Sequence, residues 1–116
     1  RSFYCTLSSQ RQHYLVKAEI ATRAAVVLRS NVECPSLSPD GSRVAYKKRI
    51  PDSERVRWRL HVLDLRSQVE SPLPELRNVD DQIEWLDPQS ILYALTDESA
   101  GNSGITNIWR VNVDKP

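Results

Sequence analysis

Residues 34–49 read CPSLSPDGSRVAYKKR, and residues 57–65 read RWRLHVLDL. Asp40-Gly41 between two strand-like runs is a strong short-range hairpin signal: glycine supplies a left-handed backbone and aspartate bonds its own turn. RVAYKKR and RWRLHVLDL are short, rich in β-branched and aromatic residues, and bounded by turn residues, which is the pattern of strands. LHVLDL does not alternate but is apolar on both faces, as in a strand covered on both sides by packed sheets. The next segment, VESPLPEL (69–76), carries Pro72 and Pro74. Proline cannot donate to a ladder, so this segment lies at a sheet edge or is barely a strand.

The same unit recurs along the chain. RSFY ends at Tyr4, RVAY at Tyr46 and SILY at Tyr93. Each is followed by a polar stretch and then an apolar segment: LVKAEI from Leu15, LHVLDL from Leu60, IWRVNV from Ile108. Glu19, Asp64 and Asn112 hold the same place in these segments. A period of about 45 residues with four antiparallel strands, the fourth at an edge, describes one blade of a β-propeller. The expected fold is all-β: about two and a half four-stranded blades of an incomplete propeller. Residues 1–32 form a partial blade, 33–76 a complete one and 77–116 another partial one, with junctions near Arg29–Glu33 and Arg77–Asp81. KAEIATRAAVVL (17–28) has helical propensity through its alanines. The repeat instead sets Ala21–Ala24 at a turn and AAVVL on an edge strand.

Totals narrow the function classes. The 116 residues are one ordinary domain or a piece of a larger one, 40% hydrophobic and 27% charged, as in a globular chain. A net charge of +1 lacks the basic surplus that usually accompanies nucleic-acid binding. No run approaches the ~18 apolar residues that span a bilayer, so no membrane insertion by this segment is expected. The absence of methionine suggests a mature or excised segment. Cys5 and Cys34 are too few for a four-thiolate zinc site and belong to no CxxC motif, which leaves free thiols or one disulfide.

LSPDGSRVAYKKR followed by LHVLDL resembles the repeat of TolB-like (WD40-like) β-propellers, with their W-S-P-D-G turn, I-A-F strand and I-Y-V-x-D-L strand. VDDQIEWLDPQSILYAL (79–95) also resembles a variant blade of secreted TolB-like proteins of actinobacteria. The resemblance covers most of the chain from Asn31 onward. Leu37 stands where the repeat has tryptophan, whereas Trp85 fills that place in the next blade. Asp87-Pro88 replaces Pro-Asp-Gly in a turn one residue shorter. The resemblance implies an extracytoplasmic binding scaffold. It also places Cys5 and Cys34 on neighbouring blades, where a disulfide is expected and an oxidising compartment would permit it.

Candidate sites are few. His61 sits at the aromatic position of a third strand and is expected to pack between blades. His13, in SSQRQH, is expected in a solvated hairpin loop. Neither Cys5 nor Cys34 has an evident histidine at a meaningful position, so no catalytic residue is expected. Asp80 and Asp81 precede the innermost strand of the last blade, where they are weak candidates for a cation or basic peptide; turn chemistry is the simpler role, as for Asp87. Asp52-Ser53-Glu54 and Asp97-Glu98 read as loop surface. Lys47–Arg49 with Arg55, Arg57 and Arg59 reads as a solvated basic hairpin, since only Trp58 offers a stacking surface for bases. Trp85 and Trp109 are expected between blades and Trp58 partly exposed.

These readings imply a non-enzymatic protein-interaction scaffold without metal or cofactor, bound to a protein or peptide partner and not to nucleic acid. The alternative is the propeller portion of a larger hydrolase whose catalytic domain lies elsewhere. A self-contained β-sandwich is a third possibility. An incomplete propeller exposes blade faces and edges, so a homodimer or a longer chain is expected.

Overall fold

The computed structural model describes residues 1–51, 54–97 and 105–115. Among these are ten antiparallel strands in three sheets. The first sheet holds β1 (Ser2–Ser9), β2 (Gln12–Glu19) and β3 (Ala25–Ser30) in that order. The second holds β4 (Val32–Leu37), β5 (Arg43–Arg49), β6 (Trp58–Asp64) and the short β7 (Glu70–Pro72). The third orders β8 (Ile83–Asp87), β9 (Ser90–Asp97) and β10 (Ile105–Asn112) as β10-β9-β8. The three successive sheets rule out a two-sheet sandwich. The alanine-rich stretch divides as the repeat requires: Glu19 N–H donates to Ala24 O (2.8 Å) across a turn, and β3 follows as an edge strand.

The repeat is visible in hydrogen bonds. Ile20, Leu65 and Val113, each one residue past the end of β2, β6 or β10, donate N–H to Arg1, Ser42 and Gln89 at 2.8, 3.0 and 2.8 Å. Asp64 N–H reaches Val69 O as Glu19 N–H reaches Ala24 O, and the left-handed residues Arg23 and Gln68 occupy matching places. Asp64 and Asn112 also cap their turns, accepting the N–H groups of Arg66 and Ser67, and of Asp114.

Strand register corrects one alignment. Ser2, Arg43 and Ser90 pair with Glu19, Asp64 and Asn112. Tyr46 and Tyr93 lie three residues past Arg43 and Ser90; three past Ser2 is Cys5. Cys5, not Tyr4, therefore occupies the tyrosine position of the first sheet. Side chains alternate between faces. Tyr4 packs on the core toward the second sheet, and Thr6 Oγ1 donates to Val32 O there (3.5 Å). Cys5 consequently faces the opposite side.

The second sheet is the centre of the molecule. Its Val44, Tyr46 and Leu63 meet Leu15 of the first sheet, together with Val32. Its Ala45, Leu60 and Val62 meet Ile83, Trp85, Ile91, Tyr93 and Leu95 of the third, with Leu73 and Val79 from the connection. Burial on both faces is what the unbroken apolar run LHVLDL required.

The SPDG turn is held largely by its own side chains. Gly41 takes φ 73°, and its N–H donates to Ser38 O (2.9 Å). Asp40 Oδ1 accepts the Ser38 and Ser42 hydroxyls (both 2.7 Å) and Ser42 N–H (3.0 Å). These bonds favour the charged carboxylate and bring its pKa down to about 2. The counterpart between β8 and β9 is a two-residue turn, with Asp87 paired to Ser90 and Asp87 Oδ1 accepting Gln89 N–H (2.8 Å).

Candidate binding groove

Two buried tyrosines organise the polar groups. Tyr46 hydroxyl donates to Glu70 Oε1, and Lys48 Nζ holds both oxygens of the same carboxylate (2.8 and 2.7 Å). Burial raises the Tyr46 pKa, and Glu70 raises it further. Burial alone would raise the Glu70 pKa too, but the bonds from Lys48 and Tyr46 bring it below the usual value. His61 stacks on Tyr46 with ring centroids 6.4 Å apart, and burial lowers its pKa. His61 thus has a packing role against its own sheet's tyrosine.

The second tyrosine crosses between sheets. Tyr93 hydroxyl, in the third sheet, donates to Glu75 Oε2 (2.5 Å), in the connection leaving the second. Arg77 grips Glu75 through Nε (2.8 Å) and Nη2 (2.7 Å), a two-point charge-assisted contact. Arg77 thereby holds the Glu75 pKa at about 2, while burial and the glutamate push Tyr93 up to about 12. The same guanidinium lies 4.2 Å from the centre of the Trp109 ring. Pro72 and Pro74 create this arrangement. β7 ends at Pro72; Leu73 N–H still reaches Leu60 O (3.0 Å), Pro74 has no N–H to offer, and the chain then crosses toward the third sheet until Val79 N–H returns to Trp58 O (3.1 Å).

Above this clip lies a groove of about 1010 Å³ between the second and third sheets. Arg55, Val56 and Arg57 form one wall, and Leu95, Asn107 and Trp109 the other. Arg77, Asn78, Asp80 and Asp81 line it as well. Asn78 is oriented by accepting Trp58 N–H on Oδ1 (2.7 Å), which leaves its amide NH2 group for other contacts. A smaller cavity, about 550 Å³, lies by β7; its Arg43 donates to Asp114 and Pro88 O (both 2.8 Å).

Several expectations change in the structure. The expected disulfide does not exist: Cys5 and Cys34 are free thiols. Cys5 faces away from the second sheet, and Cys34 sits at φ 55° in the β4 bulge beside Lys47, Glu33, Asp80 and Asp81. Burial raises the Cys34 pKa. His13 is on β2 rather than in a loop, because Gln10 and Arg11, both left-handed, make the whole turn. Its Nδ1 lies 2.9 Å from Ser8 Oγ and 3.4 Å from Glu33.

The basic hairpin is solvated in part: Arg49, Arg55 and Arg57 are exposed, whereas Lys47 is not. Lys47 is buried, over the Trp58 ring (4.6 Å) and paired with Asp80 (3.1 Å) and Glu33 (3.4 Å). Burial opposes its charge, yet the carboxylates and Cys34 raise its pKa overall. Arg59 donates to Leu73 O (3.3 Å). Trp58 and Trp109 exchange their expected environments: Trp58 is buried, whereas Trp109 is 43% exposed. Trp85 is buried and its Nε1 donates to Ser36 O (2.8 Å). Asp81 caps Gln82 N–H (2.7 Å). Asp52, Ser53 and Glu98 lie outside the described residues. Among the described residues no group of three potential metal ligands assembles, and no helix is long and apolar enough to cross a membrane.

Glu70, Glu75, Arg77 and Asn78 escaped the sequence reading. Each lies in the proline-broken connection or its flank, where no periodicity reports which strand will pass above.

No family model and no curated protein matches the chain. Solved structures do. The β-propeller domain of the trilobed protease from Pyrococcus furiosus, described as having an open velcro topology, superposes with TM-score 0.70 at 17% identity. The match covers 97% of this chain and 35% of that one. TolB from Acinetobacter baumannii gives TM-score 0.76 at 15% identity, covering 98% and 27%. An acylaminoacyl peptidase complex gives 0.70 at 17%, covering 97% and 21%. The chain spans about a third or less of each of these proteins, and the likeness establishes its fold: part of a β-propeller.

Proposed function

We propose that the chain is a non-enzymatic segment of a TolB-like propeller, serving as a protein-interaction scaffold outside the cytoplasm. One observation carries the reading. Leu60 is fully buried where the second sheet meets the third, yet its repeat counterpart in the third sheet, Ile108, is 75% exposed. Likewise Val44 is fully buried against the first sheet, and its counterpart Phe3 is 48% exposed. The two outer faces therefore present blade-packing side chains to solvent, and such faces are association surfaces. The extracytoplasmic setting rests on the TolB-like repeat and on the resemblance of residues 79–95 to secreted actinobacterial proteins.

Light scattering of the 116-residue chain over a dilution series tests this. Association that Phe3→Glu or Ile108→Glu abolishes is expected; a stable, dilution-resistant monomer contradicts it. The likeness to the trilobed protease and acylaminoacyl peptidase favours a second reading, the propeller part of a larger hydrolase. A G-x-S-x-G elbow in an α/β region of the same gene would select that reading.

A further inference from the structure

We propose that the partner of the two outer faces is a second copy of this chain. The outer face of the third sheet in one copy packs on the outer face of the first sheet in the other, and the reciprocal contact closes a ring. The inference rests on the scaffold reading and names its partner.

Both halves of such a contact lie on one chain. The first and third sheets dock on opposite sides of the second, so the faces turned away from it sit at opposite ends of the molecule. On the first sheet Tyr4 and Leu15 face inward. Phe3, Cys5 and Leu7 therefore face outward, with their cross-strand partners Ala18, Val16 and Tyr14. All six are hydrophobic, and Val16 is buried there, outside both junction cores. On the third sheet Ile91, Tyr93 and Leu95 face inward, which turns Leu92, Ala94 and Ile108 outward. In the repeat these two surfaces are a matched pair. Phe3 and Cys5 stand where Ile91 and Tyr93 receive the second sheet; Leu92 and Ile108 stand where Ala45 and Leu60 meet the third.

Side-chain size favours this chain's own first sheet as the occupant. At the second junction the small Ala45 is on one wall and the large Tyr93 on the other, and both are buried. The free faces reverse that order, with Leu92 in the alanine place and Cys5 in the tyrosine place. Exchanges that conserve total volume keep a core packed. A sheet with tyrosine at that place would set two large side chains together. Where the chain does so, with Tyr4 and Tyr46 at the first junction, Tyr4 stays half-buried and the buried cluster is smaller. Glu84 and Arg110 flank Leu92 with opposite charges. Arg110 occupies the place of Lys17, which stays exposed at the rim of the first junction. A head-to-tail contact either closes a ring or grows an open filament. Propeller rings hold about four to eight sheets; with three described sheets per chain, two copies close a ring in that range.

Sedimentation equilibrium of the 116-residue chain tests the ring. A dimer that does not grow with concentration is expected. Ile108→Ser should weaken it about a hundredfold, about tenfold at each of the two contacts. Phe3→Glu and Ile108→Glu should each give a folded monomer, because both side chains are exposed in the single chain; circular dichroism checks the fold. An equimolar mixture of those two variants should dimerise again, more weakly than the parent, since the mixed pair keeps one unaltered contact. A mixture that stays monomeric, association that survives either glutamate, or mass that grows past the dimer overturns the ring and leaves the scaffold reading in place. A dilution-resistant monomer of the unaltered chain sinks both.

Discussion

The two sheet-to-sheet junctions are built from the same repeat yet held differently. At the first, Leu15, Val32, Val44, Tyr46 and Leu63 are the buried apolar residues, and Tyr46 bonds Glu70 within its own sheet. At the second, ten buried residues including two aromatics join the sheets, and Tyr93 bonds a glutamate supplied by the preceding sheet. One tyrosine braces a sheet; the other fastens two sheets together. The second junction, beside the groove, buries the larger apolar cluster and is therefore expected to open at a higher energy than the junction with the first sheet.

The largest expected effect is a core truncation on each side. Ile91→Ala and Leu15→Ala both remove fully buried side chains and should cost about 2–5 kcal/mol. Chemical denaturation of Ile91→Ala should show loss of the whole fold. Leu15→Ala should lower protection mainly in the first sheet. Equal, global loss from both would erase the distinction.

Glu75→Gln comes next, expected to cost about 1–3 kcal/mol because it weakens charge-assisted bonds to Arg77 and Tyr93. The glutamate pKa is about 2 in the folded chain against an ordinary 4.5. The stabilisation is therefore complete above the unfolded value and is lost as pH falls from 4.5 through about 2. Acid titration of stability should be visibly shallower in Glu75→Gln; an unchanged acid limb would show that the clip does not hold the sheets.

Gly41→Ala should cost about 1 kcal/mol, through backbone strain alone, since nothing lies within 4 Å of the added methyl. A thermal melt unchanged within error would mean the turn relaxes freely. The smallest effect concerns the thiols. Alkylation of the unreduced, denatured chain should add two groups, and none would restore the disulfide.

The period, the strands, the proline-broken edge and the turn at Asp40-Gly41 were legible because each is a local pattern with a local cause. The helix-like KAEIATRAAVVL yielded to the repeat, since an edge strand was what the neighbouring ladder could use. The thiols misled because spacing says which strand a residue joins, whereas a one-residue register change turns it to the other face. That is what happened to Cys5. Lys47 and Trp58 misled for a related reason: composition marked the hairpin as basic, but the pleat turned both inward. Arg77 and Trp109 are 32 residues apart in sequence, and their contact depends on the path of residues 73–80, which no strand pattern encodes.

Native-state hydrogen exchange tests the central contrast most directly. The account predicts that amides of β5, β6, β8 and β9 share one high opening energy while those of β1 and β2 exchange through a lower one. It also predicts that Glu75→Gln lowers the first value and leaves the second in place. A single opening energy across all three sheets, unmoved by Glu75→Gln, would contradict it.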